Sequence, residues 1–351
     1  LNQFTPPFLG LLVFLGIGKF TYEPDEKNSL MTRCLWEEAK RRGIVMREFR
    51  LFGLRRDFFI ASYKNDVNCF EGLPRPVGKI SKSLAWVDDK GILKKKFEKA
   101  SIPIARGGTC SEIPSAIKLF RSLIPPVITK PNTGSASRHT TTHIETENEL
   151  VRAFGVAQEL SPWVVIEEEL VGAVYRATVI DGRVVGVIER DPPFVIGDGK
   201  RSIRGLIEAE NRHPLRQGPI FHPITIGSAE EKELRRLGLS SDSTPKKGIR
   251  VTLNQKVNWS GGGSTTDVTD ETHPENIRLF ERIGQFLDDP IVGIDFVISD
   301  IRKPWTAQKR CGVIECNSLP FIDTHHFPFN GKSRNAIGAV WDLVFPESKP
   351  R

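Results

Sequence analysis

Apolar and polar positions alternate most regularly in two stretches late in the chain, IVGIDFVISD from Ile291 and GVIECN from Gly312, and a period of two predicts strands. A long polar turn joins them, so the simplest pairing is antiparallel. Strand side chains alternate faces, which puts Glu315 and Asn317 on one side and lets Asp295 join them from the neighbouring strand. Earlier, WVVIEEE and VYRATVID lead through Asp181-Gly182 into RVVGVIER, a dipeptide that signals a two-residue hairpin turn. IVMREFR, FFIAS and PVITK, the last ending at Lys130, read as further strands. Helical spacing runs from a cap at Asn28 or Ser29 to Arg42, with Leu30, Cys34 and Leu35 on one side and Gly43 as the stop. Other helices are expected over Asp89 to Ala100, from Ser111 with Pro114 in the first turn, through Glu159 after a Thr146/Glu149 capping box, and over 203–211 and 229–237. The apolar run from Phe8 to Ile17 lacks the flanks of a signal peptide and is too short to span a bilayer, so a buried first strand is expected there.

Helices therefore alternate with antiparallel hairpins rather than with parallel βαβ units, and the class is α+β. The pattern closes a small N-terminal α/β lobe near Lys82. A formal charge of +7 favours anionic partners, and a polyphosphate nucleotide satisfies it as well as nucleic acid would. The longest basic run, Lys94 to Lys96, is expected on a solvated helix face. The five cysteines are odd in number and show no CxxC spacing, so neither a disulfide framework nor a zinc site follows, and a reducing cytoplasm is the default location.

Three features could carry chemistry. Two carboxylates and an amide, Asp295, Glu315 and Asn317, are an oxygen-only set that suits magnesium, against the plainer reading of a polar strand face. Lys130 closes a strand and is followed by the small-residue loop NTGSASRH, whose amides can approach phosphate, though many such loops are only loops. Glu167 to Leu170 offer an acid and an exposed strand edge, as an adenine amino group and ring nitrogens require. Cys316 reads as a small core residue, and His325 and His326 read equally well as substrate ligands or as parts of a turn.

The segments VIGDGKRSIRGLIEAENRHPLRQG, NWSGGGSTTDVTDETHPEN, VGIDFVISDI and GVIECNSLPFIDTHHFP resemble the ATP-grasp carboxylate-amine ligases, in particular the ATP-grasp regions of cyanophycin synthetase and bifunctional glutathione synthetase, with D-alanine-D-alanine ligase more distant. The resemblance runs roughly from Asp89 to Pro328. It implies an ATP-grasp fold of two subdomains, 86–165 and 166–351, behind an N-terminal α/β lobe over 1–85, with ATP and Mg2+ as cofactors. It places Lys90 and Lys130 on the nucleotide phosphates, Glu167 and Leu170 at the adenine edge, Ser135 in the loop that closes over the γ-phosphate, and Asp295, Glu315 and Asn317 on magnesium. Arg176, Asn258 and Gly261 to Gly263 fall near the phosphates or the acyl acceptor. Two positions depart from the pattern: Val174 stands where relatives carry a ribose-binding acid, and Asn254 about where they carry an arginine, whose oxyanion role would then pass to Arg250 or Lys256.

The implied reaction is ATP-dependent amide formation between an amino-acid or peptide carboxylate and an amine through an acyl phosphate, with no nucleic acid or membrane partner and with homo-oligomerisation left open. The alternative is a nucleotide-binding homologue without turnover. Polymer synthesis of the cyanophycin kind is disfavoured, since relatives that make that polymer carry a further Mur-ligase-like domain that is not expected here; the glutamate-cysteine ligase half of the bifunctional glutathione enzyme is not expected either.

Overall fold

Strands β1 (Gly18–Thr21), β2 (Val45–Leu51), β3 (Leu54–Tyr63) and β4 (Asp66–Glu71) form an antiparallel sheet in the order β1-β2-β3-β4. The computed structural model describes residues 5–76, 85–133, 139–255, 257 and 261–350. Helix α1 (Thr5–Phe14) occupies the stretch for which a strand was expected. A continuous apolar run carries no period that separates strand from buried helix. Here Pro6 and Pro7 sit in the first turn, where a missing amide costs nothing, and Gly16 ends the run at φ +74°. Leu9 packs on Phe49 and Ile60, while Phe8, Leu11 and Phe14 stay exposed.

Helix α2 (Leu30–Arg41) begins where its cap requires: Ser29 accepts from the Thr32 amide, and Gly43 leaves the helix at φ +71°. Its buried side, Cys34, Leu35, Trp36 and Ala39, shares one core with Phe59 and Phe70 and with α10 (Ala336–Val344) near the other end of the chain. Trp341 anchors that contact by donating Nε1–H to the Leu35 carbonyl at 3.1 Å.

The next unit contains a short α3 (Ala85–Asp88), then α4 (Lys90–Lys99), β5 (Gly107–Cys110), α5 (Ile113–Phe120), β6 (Val127–Pro131), β7 (Thr141–Ile144), α6 (Glu147–Gln158) and β8 (Val164–Glu168). Its sheet runs β5-β8-β6-β7, and the Thr146/Glu149 capping box starts α6. Ile144, Val164 and Ile166 pack on α5 and α6, which leaves the residues of opposite parity, Lys130 and Glu167 among them, on the other face.

The large sheet is ordered β13-β10-β9-β14-β15 and is built from β9 (Ala173–Ile180), β10 (Arg183–Asp191), β13 (Ser264–Asp267), β14 (Ile291–Ile298) and β15 (Gly312–Asn317). Asp181 and Gly182 both take positive φ, as the tight turn joining β9 to β10 demands. Helix α9 (Pro274–Leu287) covers one face with Leu279, Phe280, Ile283 and Leu287. Beyond β10, β11 (Phe194–Ile196) pairs with β12 (Arg250–Thr252), and α7 (Ile203–Glu210) and α8 (Ser228–Arg236) pack there around a small core of Ile203, Leu234 and Val251. Where the two sheets adjoin, Arg310 donates to the carbonyls of Glu169 and Pro126, each at 2.8 Å, and its own carbonyl accepts from Val171. Among the described residues no helix is long and apolar enough to cross a membrane.

Candidate active site

Alternation sorts the large sheet into two faces. Tyr175, Ala177, Ile294, Phe296 and Cys316 pack in the core under α9, so Arg176, Asp295, Glu315 and Asn317 look the other way. Asp295 pairs in register with Arg176 on one side and Glu315 on the other, and Gly293 pairs with Asn317. Ile314 is the extra residue of a bulge after the Asp295–Glu315 pair, which returns Val313 to the core.

Arg176 holds Asp295 with both arms, Nη2 donating to Oδ2 at 2.7 Å and Nε to Oδ1, and Arg190 from β10 adds Nη1–H to Oδ2 at 3.3 Å. Burial alone would push the Asp295 carboxyl up, but Arg176 and then Arg190 more than offset it and hold the group below the ordinary range. Glu315 goes the other way. Burial and the neighbouring Asp295 charge raise it, against the pull of Lys90, Arg176 and Lys130. Two carboxylates facing each other across one register pair, with an amide two residues on, fit a hard cation, and Glu315 is the member whose charge most lacks compensation. Among the described residues no three His, Cys, Asp or Glu side chains gather into a group that could hold a metal ion, so Asp295 and Glu315 would have to rely on the Asn317 amide and on ligands from outside the chain.

Across the cleft, Glu167 is buried between two lysines. Lys130 Nζ lies 2.5 Å from Oε1 and Lys94 Nζ 2.9 Å from Oε2, while Lys94 also donates to the Ala105 carbonyl. Burial raises Glu167, and Lys130 and Lys94 outweigh it, so the carboxyl stays below its usual range. The basic run expected on a solvated face is thus split: Lys95 and Lys96 are exposed, but Lys94 turns inward. Lys90 opens α4 directly after its cap, Asp89, and its amide donates to the Asn132 carbonyl at 3.2 Å.

Other expected residues fall as follows. Leu170 lies in the segment between β8 and β9. Arg250 stacks over Phe194, 3.6 Å from the ring centroid, and bonds Asp191 at 2.6 Å, one residue beyond Arg190. Asn254 donates Nδ2–H to Glu230 on α8. Gly262 keeps φ +85° against Ile224 while the buried Arg216 donates to its carbonyl at 2.9 Å. Ser135, Lys256 and Asn258 lie outside the described residues. His325 is buried, its Nε2 2.7 Å from Thr178 Oγ1, and burial lowers it to about 3, so it stays neutral. His326 accepts from the Ile337 amide, which makes both histidines parts of the framework. The buried Cys316 thiol is pushed far up by desolvation and is no nucleophile.

Sequence reasoning missed Lys94, Arg190 and Asp323. Arg190 was readable, since it shares a parity with Ile188, the register partner of Arg176. Asp323 follows β15 in a short 3-10 turn, where no period points it anywhere. It is buried, its Oδ1 has no hydrogen-bond donor among the described residues, and burial raises its carboxyl to about 6. Ionising Asp323 therefore costs the folded state, a penalty absent below the free-residue value of 3.8 and complete above about 6. Asp323→Asn is expected to unfold at higher denaturant than the parent at pH 8, by about 3 kcal/mol, with the gap closing toward pH 4. Denaturation at several pH values checks this, and a gap that persists at pH 4 would count against the cause given.

No family model matches the chain. Cyanophycin synthetase from Trichormus variabilis is 34% identical over 268 residues, which is 74% of this chain and 29% of that protein. The glutathione biosynthesis bifunctional protein of Mannheimia succiniciproducens is 31% identical over 271 residues, 74% of this chain and 36% of its own length. The chain thus spans about a third of the length of these curated relatives. The crystal structure of a bifunctional glutathione synthetase from Pasteurella multocida matches with a TM-score of 0.67 at 27% identity, over 92% of this chain and 44% of that one.

Proposed function

The chain belongs to the ATP-grasp carboxylate-amine ligases, and on that premise we propose that it activates an amino-acid or peptide carboxylate with ATP and joins it to an amine. The observation that carries this reading is the one sheet face shared by Asp295, Glu315 and Asn317 beside Arg176, together with the lysine pair Lys130 and Lys94 held about Glu167 on the smaller sheet. Cations that meet a pair of carboxylates across a cleft are the arrangement a polyphosphate needs.

The substrate carboxylate attacks the γ-phosphorus of ATP, ADP leaves, and the amine then displaces phosphate from the acyl phosphate. Lys130 and Lys90 hold the phosphates, and Arg176 keeps the Asp295 carboxylate oriented on its strand. Asp295, Glu315 and Asn317 would hold magnesium, which when bound supplies positive charge for the transferring phosphoryl oxygens. No protein nucleophile is required, which agrees with the inert Cys316 and the neutral His325.

Hydroxylamine supplied in place of the amine tests the proposal, because it traps an acyl phosphate as a hydroxamate. With ATP, magnesium and a panel of amino acids and dipeptides, hydroxamate and ADP are expected to appear together for at least one carboxylate. Their absence across the panel would overturn the ligase reading.

Sugar recognition gives a second expectation. Val174 offers no acceptor, Glu168 Oε1 already accepts from the Ile124 amide, and Glu169 accepts from the His143 amide at 2.9 Å. ATP and 2′-deoxy-ATP should then bind within about threefold of each other, whereas Val174→Asp should favour ATP by about tenfold or more, since charged hydrogen bonds contribute about 1.5–3 kcal/mol. Calorimetric titration decides; a strong preference for ATP in the unmodified protein would refute it.

A further inference from the structure

Strand β7 is irregular where it adjoins the segment expected at the nucleotide base. Ile144 pairs with Val127 and Thr141 with Thr129, so Thr142 and His143 together stand opposite Ile128, which is a β-bulge. His143 takes φ +57°, a left-handed conformation that bulges usually reserve for glycine. A bulge re-aims what it carries, and here two donors of one residue meet one carboxylate. The His143 amide donates to Glu169 Oε2 at 2.9 Å, and its Nδ1 lies 3.1 Å from Oε1. The other ring nitrogen is shielded and has no hydrogen-bond partner among the described residues, so Glu169 is the polar anchor of the ring.

Glu169 leads out of β8 toward β9. Its amide donates to the Pro126 carbonyl and its carbonyl accepts from Arg310, while the Glu168 amide donates to the Arg106 carbonyl and the Val171 amide to that of Arg310. Among the described residues this leaves the Glu168 carbonyl and the Leu170 peptide groups without a protein partner. Glu168 C=O and Leu170 N–H share a parity and so face one edge, where they offer an acceptor beside a donor. Such a pair matches an amino group next to a bare ring nitrogen. It mismatches a 6-oxo purine, whose oxygen accepts and whose ring N–H donates.

We propose that His143 is a positioning residue for the purine base: by gripping the Glu169 carboxylate it stops the segment 168–170 from rolling about its own axis, and so makes the site prefer a 6-amino over a 6-oxo purine. That this edge takes a nucleotide base rests on the ligase reading above; the role of His143 rests on the bulge and its contacts. Main-chain bonds to Pro126 and Arg310 fix where the segment sits. A strand side chain stands across the sheet, so a contact at its far end is what resists roll. The same role accounts for a histidine in a conformation that glycine adopts without strain.

The test is a calorimetric titration of the full chain, with magnesium, against ATP and against inosine triphosphate, with denaturation of the same samples. The parent is expected to prefer ATP by about tenfold or more, because the mismatched base leaves polar groups of the site unpaired. His143→Gly keeps the amide bond to Glu169 and suits the left-handed backbone, so it should unfold close to the parental denaturant concentration yet bind the two nucleotides within about threefold of each other. In His143→Asn the side chain tolerates the left-handed region and carries an N–H about where the ring has Nδ1, so the preference for ATP should return. An undiminished preference in His143→Gly, or a preference lost equally in His143→Gly and His143→Asn, would overturn the positioning role and leave the nucleotide site standing. A parent that binds both nucleotides alike would overturn the role as well, and one that binds neither would overturn the nucleotide reading with it.

Discussion

Glu315→Gln is expected to lower phosphate release by about 10³-fold or more while leaving the protein folded, because the side chain keeps its shape and loses the charge on which a cation-bound phosphoryl group depends. Stability gives the contrasting readout. The Glu315 carboxyl is raised by burial and by Asp295, so its ionised form is disfavoured in the folded state, and removing the charge relieves that repulsion. At neutral pH the variant should therefore be at least as stable as the parent, an advantage that fades as the pH falls and Glu315 takes up its proton. A purely structural Glu315 would show the reverse, with lost stability and retained turnover. Steady-state phosphate release at saturating ATP and magnesium, with denaturation of the same samples, separates the two, and full activity would remove Glu315 from the magnesium set.

The second large effect is on folding. Glu167→Gln leaves Lys94 and Lys130 buried with no counter-charge between them, and removing one partner from a buried ionic group costs about 3–5 kcal/mol. A nucleotide that brings phosphate to the same lysines would return the missing negative charge. The deficit should then shrink when saturating ADP is present, beyond the ordinary stabilisation that ADP gives the parent protein. Lys130→Met is the useful contrast, for it leaves Lys94 and Glu167 as a matched pair. That variant is expected to lose nucleotide affinity with little loss of stability. Glu167→Gln unfolding at the parental denaturant concentration would show that the three charges do not depend on one another.

Much of this arrangement could be read before any coordinates, for reasons particular to its residues. Asp295, Glu315 and Asn317 lie on strands, where a period of two fixes the face, and an antiparallel pair joined by one turn has few registers open to it. The Asp181-Gly182 hairpin and the Thr146/Glu149 box are local devices that depend on neighbours in sequence, and both formed as expected. The misses have the opposite character. Lys94 turns inward because Glu167, far along the chain, stands opposite it, and no local pattern distinguishes it from Lys95. The strand β4 and the core that α2 shares with α10 depend on partners that hydrophobic spacing cannot name. At α1 the run was apolar on every side, so its period was silent and the prolines carried the information instead.

Arg310 gives the molecule a lever. Its guanidinium pins the carbonyls of Glu169 and Pro126 at one corner of the smaller sheet, while Trp163 stands half-exposed just before the opposite end of β8. Strand geometry makes that arm about 20 Å long, so a rotation of about 10° about the pinned corner would carry the indole about 3.5 Å while Glu169 barely moves. Trp163 lines a pocket of the same unit that also holds Lys94 and Gly107, so its indole stands beside a charged wall. The difference in emission between the parent and Trp163→Phe therefore reads the polarity of that pocket directly.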